Sequence, residues 1–294
     1  MPVLTAIAES EPDRGQELAI RLEEGAILVL PLTPRGIPAS DLDFLRAQKQ
    51  ARGRFHKNIA YRPAADRVTG LARSTTIAER ERLRRILAFY SEWSRALLEH
   101  LLPAYAGHGR TDYASFRPFE EEGRGLPRHL RNDLIHVDAF PTRPTHGDRI
   151  LRVFSNIHPN RPREWCSAGT FESLAERYAV SSGILEAALK SSGPLHRLLA
   201  RTGLTKQRSA YDTFMLRFHD FLKDCAEVQD PKNRERLSFP PGSTWMVYTD
   251  AVSHGVLSGQ FALEQTVIVD RHAMQRPEKA PLSILERLAG ASLA

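Results

Sequence analysis

The stretch Asp133-Leu134-Ile135-His136-Val137-Asp138-Ala139-Phe140 carries the strongest signal in this sequence. Its alternation predicts a β-strand, in which side chains two positions apart face the same side. His136 and Asp138 would then point together into the interior of a β-structure. A neutral imidazole and a carboxylate are two of the three ligands of the facial triad that holds non-haem Fe(II) and leaves positions open for co-substrates.

The third ligand of such a triad would come from a later strand, and His254 is the best candidate. It follows the segment Phe239–Tyr248, in which a Pro-Pro-Gly turn precedes an apolar run, and a Gly-Val pair comes after it. His272 is a reserve candidate because it follows the last predicted strand and is adjacent to Arg271. We therefore predict a catalytic metal site formed by His136, Asp138 and His254.

The pattern His-x-Asp is weakly specific by itself, since His146-Gly147-Asp148 repeats it nearby. That second copy lies in a stretch with proline and glycine that predicts a turn, where no strand would aim the side chains. His219 falls on the polar side of a predicted helix, and we expect it to face solvent. The strand setting of His136 therefore favours the first copy.

Predicted strands occur in two groups with a helical segment between them. The first group has three segments bounded by Gly, Pro and Thr clusters, which is typical of antiparallel strands: Ala114–Phe119, Leu134–Phe140 and Arg149–Ile157. From Phe171 to about Cys225, apolar residues recur at helical spacing. The second group of strands follows the turn at Pro240: Trp245–Thr249, Gly255–Leu257 and Phe261–Val269.

We predict one domain that spans residues 1–294. The predicted segments are mainly helical support (1–112), the first strand group (113–165), a helical insertion (166–235), the second strand group (236–270) and a C-terminal tail (271–294). A short strand is predicted at Ala26–Leu30. The helix predicted from Thr76 to Leu102 begins at a capping box, because Glu79 follows Thr76 by three positions, and Pro103 ends it.

The charge of the chain favours an anionic partner. The 294 residues have a net charge of +6, and the basic residues are scattered without a block of five. Cys166 and Cys225 have no second Cys at zinc-like spacing, so we expect two reduced thiols. No apolar run is long enough to cross a bilayer, and the N-terminal residues lack a signal-peptide pattern. We therefore expect a cytoplasmic protein.

In the order of its motifs the chain resembles the Fe(II)/2-oxoglutarate-dependent oxygenases. The motifs are His136-x-Asp138, the Arg-Val-Phe-Ser-Asn strand, Pro-Pro-Gly-Ser-x-Trp and His254-Gly-Val, within about residues 115–270. More closely, the whole chain resembles the Kdo 3-hydroxylases of Gram-negative bacteria. This resemblance implies an α+β fold whose core is a double-stranded β-helix (jelly roll), with flanking helices and a helical insertion between the strand groups.

The resemblance also implies a reaction and a partner. Those enzymes use Fe(II), 2-oxoglutarate and O2 to add a hydroxyl group at C3 of the outer Kdo sugar of Kdo2-lipid A, which gives Ko. The partner would be this Kdo-containing lipid A glycolipid, met by peripheral contact at the anionic cytoplasmic face of the inner membrane. No nucleic acid is expected as a partner, and the sequence makes no prediction of oligomeric state.

One position departs from the superfamily pattern. Many members place an Arg or Lys about ten residues after the distal His to hold the far carboxylate of 2-oxoglutarate, but Gly255–Asp270 contains neither. Arg152 is our candidate for this role, because some branches of the superfamily carry their basic residue on the strand after His-x-Asp. A guanidinium there can pair with a carboxylate through two hydrogen bonds. Asn156 shares its strand face and is predicted to bind the cofactor as well.

Anionic groups on the substrate would need further cations. Kdo carries a carboxylate and lipid A carries phosphates. In the resemblance to the Kdo hydroxylases, Arg117, Arg163 and Trp165 are expected to line the sugar site. Trp165 would offer a face against the sugar ring.

Two other interpretations remain open from the sequence. The basic charge also suits an oxygenase of the same superfamily that acts on nucleic acid, although no dense Lys/Arg run with interleaved aromatic residues is present. The other is a cupin-like isomerase or sugar-binding module without oxygenase activity. Cupins typically pair two histidines in one strand, whereas this chain has His-x-Asp.

Overall fold

The computed structural model describes residues 2–7, 14–31, 33–49, 58–120, 126–191 and 208–294. The strands in chain order are β1 (Leu4–Ala6), β2 (Ile27–Leu30), β3 (Ile59–Arg62), β4 (Arg67–Thr69), β5 (Gly109–Arg117), β6 (Arg149–Asn156), β7 (Arg163–Ser167), β8 (Glu235–Phe239), β9 (Thr244–Tyr248), β10 (Gly255–Ser258) and β11 (Ala262–Val269). The helices are α1 (Gly15–Glu23), α2 (Ala39–Arg46), α3 (Ile77–Leu101), α4 (Phe171–Tyr178), α5 (Ile184–Ser191), α6 (Ala210–Asp224), α7 (Ala226–Gln229) and α8 (Pro281–Ala289).

Two β-sheets form the centre of this mixed α/β structure. The larger sheet has eight strands in the order β1-β2-β9-β6-β11-β5-β3-β4, and the smaller has three in the order β10-β7-β8. Strand β11 pairs antiparallel with both β6 and β5, so side chains from three neighbouring strands share each sheet face. The register sets Arg152 opposite Thr266 and Phe154 opposite Glu264. These four positions therefore belong to one face.

Helix α3 follows its sequence signals closely. The Thr76 hydroxyl accepts a hydrogen bond from the Glu79 amide at 3.2 Å, and the Glu79 carboxylate accepts one from the Thr76 amide at 2.8 Å. This reciprocal pair is the predicted capping box. The apolar stripe of the helix, including Leu83 and Tyr90, is buried against the larger sheet. The helix predicted from Thr76 to Leu102 is confirmed.

Residues 1–112 contain more strand than the predicted helical support. Strands β1 to β4 and the start of β5 lie in this region and belong to the larger sheet, beside helices α1 to α3. The predicted strand at Ala26–Leu30 is present as β2. Strand β4 is short and polar, so its hydrophobic alternation gave little signal. In the predicted insertion 166–235, helices α4 to α7 are present, while residues 192–207 lie outside the described residues.

The predicted strand Leu134–Phe140 is not a regular strand. His136 forms an isolated antiparallel bridge with His254, through hydrogen bonds of 3.0 and 2.8 Å between their backbones. Two residues later, the amide of Asp138 donates to the carbonyl oxygen of Thr249 at 2.8 Å. The backbone of the segment thus pairs first with His254 and then with Thr249, so no continuous ladder of hydrogen bonds forms.

Candidate metal centre

The structure brings together the three residues predicted as metal ligands. One ligand atom each from His136, Asp138 and His254 lies within 4.8 Å of the others. Nε2 of His136 is 3.8 Å from Oδ1 of Asp138, and Nε2 of His254 is 4.0 Å from Oδ2. The backbone bridge between the two histidines holds their side chains on one side of the chain pair. The reserve candidate His272 is exposed and does not belong to this group.

The two imidazoles are oriented in the same way. Nδ1 of His136 lies 2.7 Å from the carbonyl oxygen of Leu134, and Nδ1 of His254 lies 2.9 Å from that of Val252. A carbonyl accepts only from a protonated nitrogen, so each ring carries its proton on Nδ1 and presents the lone pair of Nε2. Burial lowers the pKa of both histidines. Both rings are therefore neutral, as metal ligation requires.

Asp138 stays ionised although it is buried. Burial by itself would raise the pKa of this carboxyl, but the adjacent Arg152 guanidinium holds it far below its usual range. Nη2 of Arg152 lies 3.0 Å from Oδ2 of Asp138. The carboxylate is thus a ready metal ligand whose orientation is set by an adjacent cation.

A second buried carboxylate, Glu264, lies beside this cation. It occupies the tenth position after His254, where many oxygenases of the superfamily place a cation. Its Oε2 is 2.6 Å from Nη2 of Arg117, and its Oε1 pairs with Nη1 of Arg152. Burial acts to raise the pKa of Glu264, but the two guanidinium groups lower it below its usual value.

Aromatic rings form the wall behind the metal ligands. The indole of Trp165 stacks on the ring of His254 with centroids 5.2 Å apart, and the ring of Phe154 meets it edge-on at 5.0 Å. Only 1% of Trp165 is exposed. The indole lines the cavity while it stacks on His254, and its contact with a sugar stays a prediction. Its contact with His254 makes it a support for a metal ligand.

Asn156 and Arg163, predicted to bind the cofactor and the sugar, differ in their surroundings. Asn156 is fully buried, and its amide donates to the carbonyl oxygens of Arg161 and Phe239, both at 3.0 Å. It is not among the residues that line the cavity at the metal centre, because these two carbonyl groups hold its amide at the end of β6, and its cofactor-binding role stays a prediction. Arg163 does line the cavity, and its Nη1 donates to the carbonyl oxygen of Gly259 at 2.5 Å.

His219 is part of the site, contrary to the predicted exposure to solvent. Its ring lies 4.7 Å from the ring of His136, centroid to centroid, and its Nδ1 lies 2.7 Å from the carbonyl oxygen of Val137. Burial and the nearby Lys223 lower the pKa of His219 to about 4. The helix packs its apolar stripe on the core, and the adjoining polar side faces the cavity instead of solvent. Helical periodicity does not distinguish these two surroundings.

The second His-x-Asp copy lies outside the site, as predicted. His146 is exposed, has a positive φ of 54°, and lies 3.3 Å from Asp212. The Asp148 carboxylate accepts a hydrogen bond from the amide of Arg271. The copy is therefore part of a turn that contacts α6 and the chain after β11.

A cavity of about 820 Å³ opens onto the three ligands. Its described lining carries more cations than carboxylates. The cations are Arg62, Arg117, Arg143, Arg152, Arg163 and Lys223, and the carboxylates are Asp138, Asp220 and Glu264. This excess of positive charge favours an anionic ligand.

Comparison with known proteins assigns the family. A model of the family of 3-deoxy-D-manno-oct-2-ulosonic acid (Kdo) hydroxylases matches residues 6–292. The chain belongs to the Kdo hydroxylase family. No match was found among curated proteins.

Solved structures of a Kdo hydroxylase, KdoO, resemble the chain over its full length. The apo form has 35% sequence identity and a TM-score of 0.82, and the match covers 100% of this chain and 97% of that one. The complex with α-ketoglutarate and Fe(III) has 34% identity and a TM-score of 0.81, with 100% and 98% covered. A complex with cobalt(II) has 35% identity and a TM-score of 0.82, with 99% and 97% covered. All are described as non-haem Fe(II) dioxygenases.

The donor set of this Kdo hydroxylase family member fits Fe(II). Two neutral imidazole nitrogens and one carboxylate are the ligands of the facial triad. The hydrogen bonds at both Nδ1 atoms, together with the Arg152 contact, supply the outer shell that orients such ligands. The adjoining cavity leaves room for a co-substrate and a substrate.

Proposed function

We propose that this chain is an Fe(II)- and 2-oxoglutarate-dependent dioxygenase that hydroxylates the outer Kdo sugar of Kdo2-lipid A at C3 to give Ko. One observation carries the proposal: a His-Asp-His triad opens into a basic cavity in a chain that belongs to the Kdo hydroxylase family. The KdoO structure with α-ketoglutarate and Fe(III), which matches the whole chain, supports the two cofactors.

Nε2 of His136, the Asp138 carboxylate and Nε2 of His254 would hold the iron. Bound there, Fe(II) supplies with 2-oxoglutarate and O2 the oxidising power for C–H hydroxylation. The protein positions the reactants and limits water. Trp165 keeps the ring of His254 in place, and Arg152 keeps the carboxylate of Asp138 in place.

Arg152 is our proposed holder of the far carboxylate of 2-oxoglutarate. The residue is buried in the cavity wall and lies next to a metal ligand. Its two Nη atoms contact Asp138 and Glu264, while its buried Nε has no hydrogen-bond partner among the described residues. The guanidinium thus has a donor available, and the co-substrate would share the cation with the protein carboxylates.

Arg117 and Arg163 are the proposed contacts for the carboxylate of the sugar. Both line the cavity, and they come from different sheets. Glu264 compensates the charge of Arg117 in part. Trp165 lines the same cavity and stacks on the ring of His254. A sugar acid in this cavity would meet these two cations in the wall that also carries the proposed metal ligands.

The two sheets would form the jelly-roll core expected of this superfamily. His136 bridges to the chain just before β10 of the smaller sheet, while Arg152 and Glu264 project from the larger one. Side chains of both sheets therefore meet at the metal centre. In a double-stranded β-helix, the side chains of two packed sheets likewise meet in one interior.

Contact with the glycolipid would be peripheral, at the anionic cytoplasmic face of the inner membrane. None of the described helices is long and apolar enough to span a bilayer. The net charge of +6 favours attraction to acidic headgroups. Flotation with anionic liposomes at low salt should recover the protein. Recovery of no protein would count against the membrane contact while leaving the enzymatic proposal intact.

The enzymatic proposal is tested by loading the protein with Fe(II) without O2, and then adding O2, 2-oxoglutarate and Kdo2-lipid A. Succinate release coupled to a lipid mass gain of one oxygen is the expected result. Succinate without a change in lipid mass would retain the oxygenase and discard the Kdo substrate. With iron bound and no succinate formed, the dioxygenase proposal itself would fail.

A further inference from the structure

Two arginines share one aromatic ring in the cavity wall away from the metal ligands. The guanidinium carbon of Arg143 lies 4.1 Å from the ring centroid of Tyr113, and that of Arg62 lies 5.0 Å from the same centroid. All three residues line the cavity and are half-buried. Stacking on an aromatic ring keeps a guanidinium flat and oriented, with its N–H groups pointing outward in the plane.

The charges of this pair are only partly compensated. Arg143 pairs with the buried carboxylate of Asp112. Arg62 has no acidic partner among the described residues, and its buried Nε has no hydrogen-bond partner there. A half-buried cation without a counter-ion loses hydration without an electrostatic return. An anionic group of a ligand would satisfy both the charge and the unused donor.

A row of contacts connects the pair to the metal centre. Arg152, which contacts Asp138, lies 5.8 Å from the ring centroid of Phe140, measured from its guanidinium carbon. The guanidinium of Arg143 lies 4.4 Å from the same centroid. Phe140 therefore contacts both guanidinium groups. Arg143 pairs with Asp112, whereas Arg152 pairs with Asp138 and Glu264, so an anion bound at the pair would be distinct from a carboxylate bound at Arg152.

We propose that Arg62, Tyr113 and Arg143 form a second anion subsite, which binds an oxyanion of the substrate remote from the sugar that is hydroxylated. This inference rests on the proposed function. The oxyanion is either the carboxylate of the neighbouring sugar or a phosphate of the lipid. The subsite makes the enzyme selective for a substrate with at least two separate anionic groups.

The test compares kcat/KM, followed as succinate release, for four substrates. They are Kdo2-lipid A, the same lipid with its phosphates removed, a lipid-free Kdo disaccharide, and a methyl glycoside of Kdo with a single carboxylate. The variants are Arg62→Gln, Arg62→Lys and Arg143→Gln. The matched control is Arg67→Gln, because Arg67 is the cross-strand partner of Arg62 but is exposed and does not line the cavity.

Loss of a charge-assisted hydrogen bond predicts a fall of about ten- to a hundredfold in kcat/KM for Kdo2-lipid A in Arg62→Gln and Arg143→Gln. The single-carboxylate glycoside should change less than about twofold, since it has no group to place there. Arg62→Lys should recover part of the activity. The KM for 2-oxoglutarate should stay at the wild-type value in every variant, which also establishes that each variant is folded.

The substrates identify the source of the oxyanion. A loss that persists with the lipid-free disaccharide assigns the subsite to a carboxylate, and a loss confined to the phosphorylated lipid assigns it to a phosphate. If the wild-type protein is active, three results would overturn the subsite. They are equal losses on all four substrates, no loss in either glutamine variant, and the same loss in Arg67→Gln. Wild-type protein that is inactive on every Kdo substrate would instead overturn the proposed function, and the subsite with it.

Discussion

Glu264 and Arg152 form a buried ion pair on neighbouring strands of the larger sheet, next to the proposed metal ligand Asp138. The carboxylate stands at the position where many oxygenases of the superfamily carry their cation. The cation that we propose for this role, Arg152, comes instead from β6 and pairs with the carboxylate. The strand that carries the cation in many of these oxygenases thus carries an anion here, and the cation is on the neighbouring strand.

Glu264→Gln should raise the KM for 2-oxoglutarate about tenfold, because Arg152 and Arg117 lose the charge that aligns them. Steady-state succinate release at varied 2-oxoglutarate measures the effect. Glu99→Gln, which removes a carboxylate from an exposed pair with Arg95 on α3, is the control. A fall in kcat at unchanged KM would contradict the positioning role.

Arg152→Ala should weaken 2-oxoglutarate binding by about a hundredfold or more, because the proposed cationic partner of its far carboxylate is removed from a buried site. Arg152→Lys should lie between the alanine variant and wild type, since an ammonium keeps the charge without the planar fork. The visible charge-transfer band of the Fe(II) complex with 2-oxoglutarate reports binding. Unchanged 2-oxoglutarate affinity, with iron still bound, would show that Arg152 has another role, such as binding the carboxylate of the substrate.

His254→Ala should abolish high-affinity metal binding and activity, because two ligands do not form a facial triad. Calorimetric titration with Co(II) measures binding without oxidation. His272→Ala and His146→Ala are matched controls, since both side chains are exposed and outside the metal group. Tight Co(II) binding by His254→Ala together with its loss in His272→Ala would transfer the ligand role to His272.

The stability of the metal-free protein should fall with acid partly because of His219. Its pKa is about 4 in the folded protein and near the ordinary value of 6.5 when unfolded, so the unfolded chain binds the extra proton between these pH values. The free energy of unfolding therefore decreases from pH 6.5 to 4. His219→Gln should remove part of this decrease, on the order of 1 kcal/mol or more. Urea titrations of both proteins across this range measure it, and parallel curves would contradict the assignment.

Asp250→Ala should reduce the free energy of unfolding by about 3–5 kcal/mol, because it leaves the guanidinium of Arg149 buried without its partner. The two side chains are 0% and 1% exposed, and Nε of Arg149 lies 2.9 Å from Oδ2 of Asp250. Urea unfolding measures the loss. Arg95→Ala in the exposed pairs of α3 should change stability by about 1 kcal/mol or less. Equal effects of both variants would contradict a buried charge pair.

Local patterns predicted helix α3 well. The capping box at Thr76 and the stop at Pro103 both depend on residues within a few positions, and so the bounds of α3 were predictable. The spacing of His136 and Asp138 likewise placed two ligands on one side. The segment nevertheless lacks a regular ladder, because its backbone partners are set by the path of the chain between β9 and β10.

The sequence by itself determined the ligand types, the family and the excess of positive charge. Only the tertiary structure decided which side chains share the cavity. Glu264 meets Arg117 and Arg152 through the register of three strands, and His219 meets His136 through the packing of α6. Asn156 and Trp165 have the expected strand positions but different contacts. Periodicity defines the face on which a side chain lies, whereas long-range packing decides what that face contacts.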